Sequence, residues 1–156
     1  MTGGDPRSAS LAERDVAINF LGTVRMTRLA LPYLQRAREG ALVIISSVVA
    51  IAPAPDFAVD SAAKAAVHSL ARSLRRELSG RVHVFDVLPT WVDTEPARNV
   101  AVSKLTPEVV ADTVIDALRR DRYEVFVGQA GVVAMINRFS PGLADAVVSR
   151  ASRSTR

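Results

Sequence analysis

Apolar positions follow two patterns that alternate along this chain. One is helical spacing, with an apolar residue every third or fourth position; it covers 11–38, 57–78 and 107–122, and it returns in two segments after residue 130. The other is a short, almost continuous apolar run, typical of a strand buried on both faces; it occurs in "ALVIISS" at 41–47, "RVHVFDVLP" at 81–89 and "YEVFVG" at 123–128. This order predicts an α/β fold, a parallel sheet of about three strands with helices on both faces.

Local signals set the expected boundaries of these elements. Gly40 ends the first helix, inside which Pro32 is expected to produce a kink or a division. Thr106 caps a helix that begins with Pro107, and 90–106 form a long irregular connection. Residues 1–10 are expected to be a flexible N-terminus, and 11–156 a single domain.

Composition narrows the class of protein. The chain has 156 residues and no cysteine, which excludes disulfides and thiolate metal sites and agrees with a cytoplasmic location. No apolar run reaches the roughly 20 residues of a membrane span. The formal charge is +4, yet the arginines are scattered and aromatic residues are few, so we expect no nucleic-acid partner.

Three stretches resemble the second half of a short-chain dehydrogenase/reductase. They are "INFLGTVRMTRLALPYL", "LVIISSVVAIAPAPDFAV" continuing into "SAAKAAVHSLARSLRREL", and "VHVFDVLPTWVDT". The segment from Tyr123 to Ala151 is similar to the C-terminal helices of one branch of that family. The resemblance implies an NAD(P)-dependent oxidoreductase with a Rossmann fold and an Asn-Ser-Tyr-Lys catalytic set.

Carried over by position, the resemblance assigns a catalytic role to four residues. Asn19 matches the asparagine that supports a proton-relay water, and Ser47 matches the serine that binds the substrate carbonyl. Lys64 matches the lysine that binds the nicotinamide ribose and lowers the pKa of the tyrosine. Asp60 occupies the tyrosine position, which makes this a vestigial set.

The resemblance also implies residues that face the nicotinamide. Besides Lys64, these are Pro89, Val92 and Thr94, which match the family's "PGxVxT" segment. Thr90 departs from it, because the family has glycine there.

Asp60 is the departure from the family pattern that affects the catalytic proton transfer. A carboxyl group with an ordinary pKa of about 3.9 is ionised at neutral pH and has no proton to donate. We expect Lys64, four residues later on the same helix, to lower the pKa of Asp60 further through an ordinary helical ion pair. The aspartate side chain is also much shorter than a phenol.

The second departure concerns the cofactor-binding half of the family. No glycine-rich turn follows a first strand, and "TGG" at 2–4 does not replace one. The resemblance therefore implies that 11–156 form a single partial domain, a truncated Rossmann-like doubly wound sheet that keeps only the last three of seven strands. The resemblance implies NAD or NADP as the cofactor, and we expect this polypeptide alone to lack the site for its adenosine and pyrophosphate.

The remaining titratable residues have ordinary interpretations. His68 and His83 show no matching partners in the sequence, and we interpret both as structural. Asp93 and Glu95, near Asp86, lack a histidine at ligand spacing, so we predict no metal site.

Three hypotheses for function remain open. The chain is a truncated, catalytically inactive family member, or a non-catalytic module that forms a homo-oligomer through helices 11–38 and 57–78. The third is an active carbonyl or alcohol oxidoreductase whose missing half is supplied from elsewhere.

Overall fold

A computed structural model describes residues 6–94 and 102–152 of the chain, with side chains from Ser10 onward. It contains six α-helices and three strands among these residues, together with short 3₁₀ turns at Val48–Ala50 and Pro55–Phe57. The main elements are, in chain order, α1 Pro6–Val16, α2 Thr23–Leu34, β1 Ala41–Ile45, α3 Ala58–Glu77, β2 His83–Pro89, α4 Pro107–Arg119, β3 Glu124–Val127, α5 Ala130–Phe139 and α6 Pro141–Ser152.

The predicted α/β class and parallel sheet are confirmed. The strand order is β1-β2-β3, with Ala41 opposite His83 in one parallel ladder and Asp86 opposite Glu124 in the other. From Val84 to Pro89 every residue of β2 is buried, since this strand lies between the other two and is covered on both faces.

Three apolar clusters hold the helices to the sheet. On one face, α3 packs through Val67, Ala71 and Leu74 around Ile44, and α2 packs against the same cluster. On the other face, α4 packs through Ala117 on Val87 and Val125. The α5–α6 hairpin closes a third cluster with the turn after β1, through side chains that include Val133 and Val148.

The first helical region differs from its prediction at three places. Helix α1 begins at Pro6, so Pro6–Ser10 of the expected flexible N-terminus are helical, while 1–5 lie outside the described residues. Between α1 and α2 the chain forms a π-helical segment, Ala17–Gly22. Pro32 does not divide the region, because it lies in the last turn of α2, close to its end at Leu34.

Two further observations complete the fold. The Thr106 hydroxyl accepts a hydrogen bond from the backbone N–H of Val109, which confirms the predicted N-cap of α4. Within the described parts of the chain, no helix has the length and apolar character to cross a membrane.

Candidate active site

A cleft of about 950 Å³ lies beside the carboxyl ends of β1 and β2. Its walls come from the first helical region, from α3 and α4, and from the segments that follow the two strands. Most of the lining is apolar. The cleft brings together all the residues that the sequence predicted for the site: Asn19, Ser47, Asp60, Lys64, Pro89, Val92 and Thr94.

Asp60 lies in the first turn of α3 and faces the π-helical segment. Asn19 Nδ2 donates a hydrogen bond to Asp60 Oδ1 at 3.4 Å. An ionised carboxylate can only accept hydrogen bonds, so this contact presents an acceptor at the position where the resemblance implies a phenol.

The expected ion pair between Asp60 and Lys64 is not among the salt bridges of the described residues. Lys64 Nζ instead donates to the backbone carbonyl oxygen of Ile45, at 3.3 Å. The lysine side chain therefore crosses from α3 to the end of β1, away from the i,i+4 contact that the helical spacing predicted.

The predicted fall in the pKa of Asp60 is wrong. Burial of the carboxyl group beneath the neighbouring helix is the largest effect and raises the pKa of Asp60 above its ordinary value. Lys64 lowers it by a smaller amount, and the like charge of Asp15 raises it. Burial by another element cannot be read from a spacing within one helix.

The two serines after β1 have different surroundings. The Ser47 hydroxyl lines the cleft and accepts a hydrogen bond from the Val49 N–H at 3.3 Å. The Ser46 hydroxyl is buried and donates to Asp86 Oδ1 at 2.6 Å. Ser46 thus links the end of β1 to β2. Both serines line the cleft, and Ser47 is the less buried of the two.

Asp86 is the centre of a buried polar network that the sequence did not reveal. Its second carboxylate oxygen pairs with His68 Nδ1 from α3, and the Asp86 side chain is 2% exposed. Glu124 lies nearby: one potential metal-ligand atom each from His68, Asp86 and Glu124 lies within 4.8 Å of the other two. Ser46 and His68 each hydrogen-bond to one oxygen of Asp86, which explains why Asp86 and His68 lie together in the interior.

His83 also has a partner, because its Nδ1 lies 3.2 Å from Asp121 Oδ1. Both histidines thus have carboxylate partners distant in the sequence. Of the three acids considered for a metal, Asp86 is buried and Asp93 is exposed, while Glu95 lies outside the described residues.

The connection after β2 forms one end of the cleft. The N–H of Leu105 donates to the Trp91 carbonyl, and the N–H of Asp93 donates to the Leu105 carbonyl, each at 2.8 Å. This pairing holds Val92 and Thr94 at the cleft and leads directly into the N-cap of α4.

Asp15, Phe57 and Trp91 are among the lining residues that the sequence analysis did not identify. Asp15 precedes Asn19 by four residues, a spacing that places both on one helix face and was available as a signal. Phe57 and Trp91 form a tilted aromatic pair with ring centroids 5.3 Å apart. They come from segments 34 residues apart in sequence, so no local pattern predicts the pair.

Comparison with known proteins identifies the family. The sequence profile of the short chain dehydrogenase family matches residues 7–105. An uncharacterized oxidoreductase of Staphylococcus epidermidis is 33% identical over 107 residues, which are 66% of this chain and 46% of the relative. A 3-oxoacyl-[acyl-carrier-protein] reductase of Thermotoga maritima is 30% identical over 128 residues, which are 73% of this chain and 52% of the relative.

Solved structures show the same fold. A short chain dehydrogenase from Burkholderia cenocepacia in complex with NADP is 31% identical, with a TM-score of 0.83 over 95% of this chain and 62% of that one. A short-chain dehydrogenase from Sphingobium yanoikuyae in complex with NADPH gives a TM-score of 0.70 at 24% identity. This chain thus spans about half to three-fifths of the length of these proteins, and it belongs to the short chain dehydrogenase family of oxidoreductases.

Proposed function

We propose that this polypeptide is a short-chain dehydrogenase homologue that does not complete the family's hydride-transfer reaction. The observation that carries the proposal is the environment of Asp60. The tyrosine role that the resemblance implies requires a hydroxyl that exchanges a proton with the substrate oxygen. Asp60 supplies a short carboxylate that accepts from Asn19, and Lys64 is directed to the Ile45 carbonyl.

The nicotinamide cofactor provides a separate test of the proposal. NAD and NADP supply or accept the hydride in this family, and Lys64, Pro89, Val92 and Thr94 would face the nicotinamide end. The pyrophosphate needs backbone N–H groups of a glycine-rich turn or a helix N-terminus. The described lining contains one cationic side chain, Lys64, two carboxylates, Asp15 and Asp60, and no glycine. The described residues thus do not fit a whole dinucleotide.

Trp91 makes the cofactor test direct, because it is the single tryptophan of the chain and lines the cleft. We expect no saturable quenching of its fluorescence by micromolar NADH or NADPH. We also expect no oxidation of either cofactor with a panel of ketones and aldehydes. The measurements should extend from neutral to mildly acidic pH. Because the pKa of Asp60 is raised, its carboxyl group becomes protonated at a higher pH than an ordinary aspartate does.

Three variants distinguish the two proposed causes of inactivity, the lack of a proton donor at position 60 and the lack of cofactor binding. Asp60→Tyr restores the phenol, Asp60→Asn removes the titrating group, and Asp56→Tyr adds a phenol at an exposed position four residues earlier. Turnover gained by Asp60→Tyr alone would show that the cofactor binds and that only the acid is missing. Wild-type turnover that increases toward acidic pH and disappears in Asp60→Asn would overturn the proposal, because Asp60 would then be the proton donor.

A second candidate is a non-catalytic interaction module that pairs through helices 11–38 and 57–78. It is supported by the exposure of large apolar side chains on the first helical region, among them Ile18 at 59%, Met26 at 66% and Leu29 at 67%. Such surfaces are typical of sites that bind another protein. A discrete dimer that dissociates on Leu29→Lys substitution is the result expected for this candidate.

A further inference from the structure

We propose that a basic pocket at the amino ends of the three strands binds the phosphate group of a soluble small molecule. The pocket has a volume of about 290 Å³ and lies at the end of the sheet opposite the cleft. Gly40 directly precedes β1, His83 begins β2, and Tyr123 directly precedes β3. The inference is independent of whether Asp60 supports catalysis.

Cationic side chains from three separate positions line this basic pocket. Arg38 comes from the segment between α2 and β1, Arg75 from the last turn of α3, and Arg81 from the turn that follows α3. Ser79 and Tyr123 add hydroxyl groups that can donate hydrogen bonds. No aspartate or glutamate is found in the lining among the described residues. A concave site with one sign of charge attracts ligands of the opposite sign, here anions.

The three guanidinium groups have no carboxylate partner within the described parts of the chain. Near the end of α4 the situation is different, because the carboxylate of Asp116 pairs with two arginines, at 2.8 and 2.5 Å. The salt bridges between described residues include no such contact for Arg38, Arg75 or Arg81. Their like charges therefore repel one another, and a bound anion would relieve this repulsion.

Two of the arginines are held in place by contacts that leave donors available. The Arg75 guanidinium lies 5.7 Å from the centroid of the Tyr123 ring, a cation–π contact, and this ring packs in turn against Phe85. Arg81 Nη2 donates to the backbone carbonyl of Glu77 at 3.0 Å. The first contact uses no N–H donor and the second uses one, whereas a guanidinium group carries several more. Both arginines are thus preorganised, which lowers the entropic cost of binding an anion.

Arginines near the end of a helix also have an ordinary interpretation, because they offset the negative end of the helix dipole. This interpretation explains Arg75 and Arg76 in the last turn of α3, and the bond from Arg81 to the Glu77 carbonyl. It does not explain Arg38, which belongs to a different connection and lines the same pocket. The convergence of separate segments on one concavity is what distinguishes a binding site from a capped helix.

The size and lining of the basic pocket define the class of ligand. Guanidinium groups bind phosphate oxygens through two parallel N–H donors. A volume of about 290 Å³ is at the lower limit for small-molecule sites, so the pocket suits a phosphate with a small organic group and is too small for a dinucleotide. Its apolar lining residues, Val82 and Val84, are buried and offer no exposed surface to a lipid. These features describe a soluble phosphate monoester.

Isothermal titration calorimetry with inorganic phosphate tests the site, with sodium chloride at equal ionic strength as the reference. We expect one saturable site in the wild type, and a Kd at least about tenfold higher for Arg38→Gln and Arg75→Gln, because each removes a charge-assisted hydrogen bond. Arg38 is exposed and lies outside the helices and strands, so its substitution tests the site even if Arg75→Gln does not fold. Arg76→Gln is the matched control, since it removes the same charge from α3 at a position outside the lining.

Thermal melts provide the second measurement. Phosphate stabilises proteins in general because it is excluded from their surfaces, and binding at a specific site adds to this effect. We expect phosphate to raise the Tm of the wild type and of Arg76→Gln more than that of Arg38→Gln. Equal Tm increases in all three, no saturable heat, or an equal loss of affinity in Arg76→Gln would each overturn the proposal. Loss of phosphate binding in Lys64→Gln would contradict it too, because the anion would then lie in the cleft.

Discussion

Two electrostatic effects act in opposite directions on the pKa of Asp60. Its sequence neighbour Lys64 favours the charged form, whereas burial favours the neutral form. Burial is the larger effect, because the first helical region lies against α3 and Lys64 donates to β1. The residue therefore cannot be treated as an exposed member of a helical ion pair.

The raised pKa has a consequence for stability. The native state binds the Asp60 proton more tightly than the unfolded chain does. The contribution of this proton to the free energy of unfolding is therefore fully present below pH 3.8, the pKa of Asp60 in the unfolded chain. It is lost as pH rises through the higher native value. We expect Asp60→Asn, which removes the buried charge, to raise Tm at neutral pH, and the gain to shrink as pH falls toward 3.8.

Thermal melts monitored by circular dichroism across this pH range measure the effect. Asp56→Asn removes an exposed carboxylate from the turn before α3 and should leave Tm nearly unchanged. A lower Tm for Asp60→Asn at neutral pH, or a difference from wild type that does not vary with pH, would refute this account of Asp60.

The connections between elements show which local sequence signals were sufficient to predict a helix boundary. Thr106 and Pro107 act within one turn of chain, so the sequence predicted the start of α4. The π-helical segment Ala17–Gly22 was not predicted, because no proline or glycine pair marks its start. Leu29 belongs to the helically spaced apolar residues of 11–38 and is 67% exposed, whereas Phe20, Leu31 and Leu34 pack against the core.

Gly40 shows the tightest approach at a junction between elements. A Cβ at this position would lie 2.2 Å from the Leu34 carbonyl oxygen, which is backbone and cannot rotate away. We expect Gly40→Ala to lower the free energy of unfolding by about 1–3 kcal/mol, as overpacking does. The sequence predicted that the first helix ends at Gly40, but α2 ends earlier, at Leu34, and Gly40 lies directly before β1, where the steric contact requires glycine.

Gly142 provides the matched control for this substitution. It lies in the first turn of α6, and a Cβ there meets no atom within 4 Å. Gly142→Ala should raise the free energy of unfolding by about 0.4–1 kcal/mol, because alanine reduces the conformational entropy of the unfolded chain. Urea denaturation measures the free energy of unfolding of both variants. Equal changes in the two variants would show that the contact with the Leu34 carbonyl does not destabilise Gly40→Ala.

Across the whole molecule, the C-terminal hairpin is joined to the sheet through a shared apolar cluster. Ala130, Val133, Ala144 and Val148 pack with Val48 and Val49 of the turn after β1, and Trp91 contacts the same cluster. The hairpin lies beyond the region matched by the family profile. We infer that it nevertheless unfolds together with the sheet.

Val148→Ala tests this cooperativity. Val148 is 3% exposed, and we expect its truncation to lower the free energy of unfolding by about 2 kcal/mol. The midpoints from Trp91 fluorescence and from far-UV circular dichroism should shift together. Val147→Ala, at a position 40% exposed, should change both midpoints little, and separated midpoints in Val148→Ala would show that the hairpin unfolds as its own unit.

The sequence by itself determined the class of fold, the three strands and the family. Buried parallel strands require continuous apolar runs, and helix caps require particular residues at fixed positions, so both are encoded locally. The positions of Asn19, Ser47, Asp60 and Lys64 followed from a motif, and the structure brings all four to one cleft. Their chemical roles remain predictions.

Only the tertiary structure decided the properties that depend on which distant residues meet. The network of Ser46, Asp86 and His68 joins β1, β2 and α3 across about forty residues of chain. The pKa of Asp60 depends on burial by another helix. Among the described residues β1 lies at the edge of the sheet and β2 at its centre, and this order depends on tertiary pairing, since the residues of a central strand and of an edge strand can be identical.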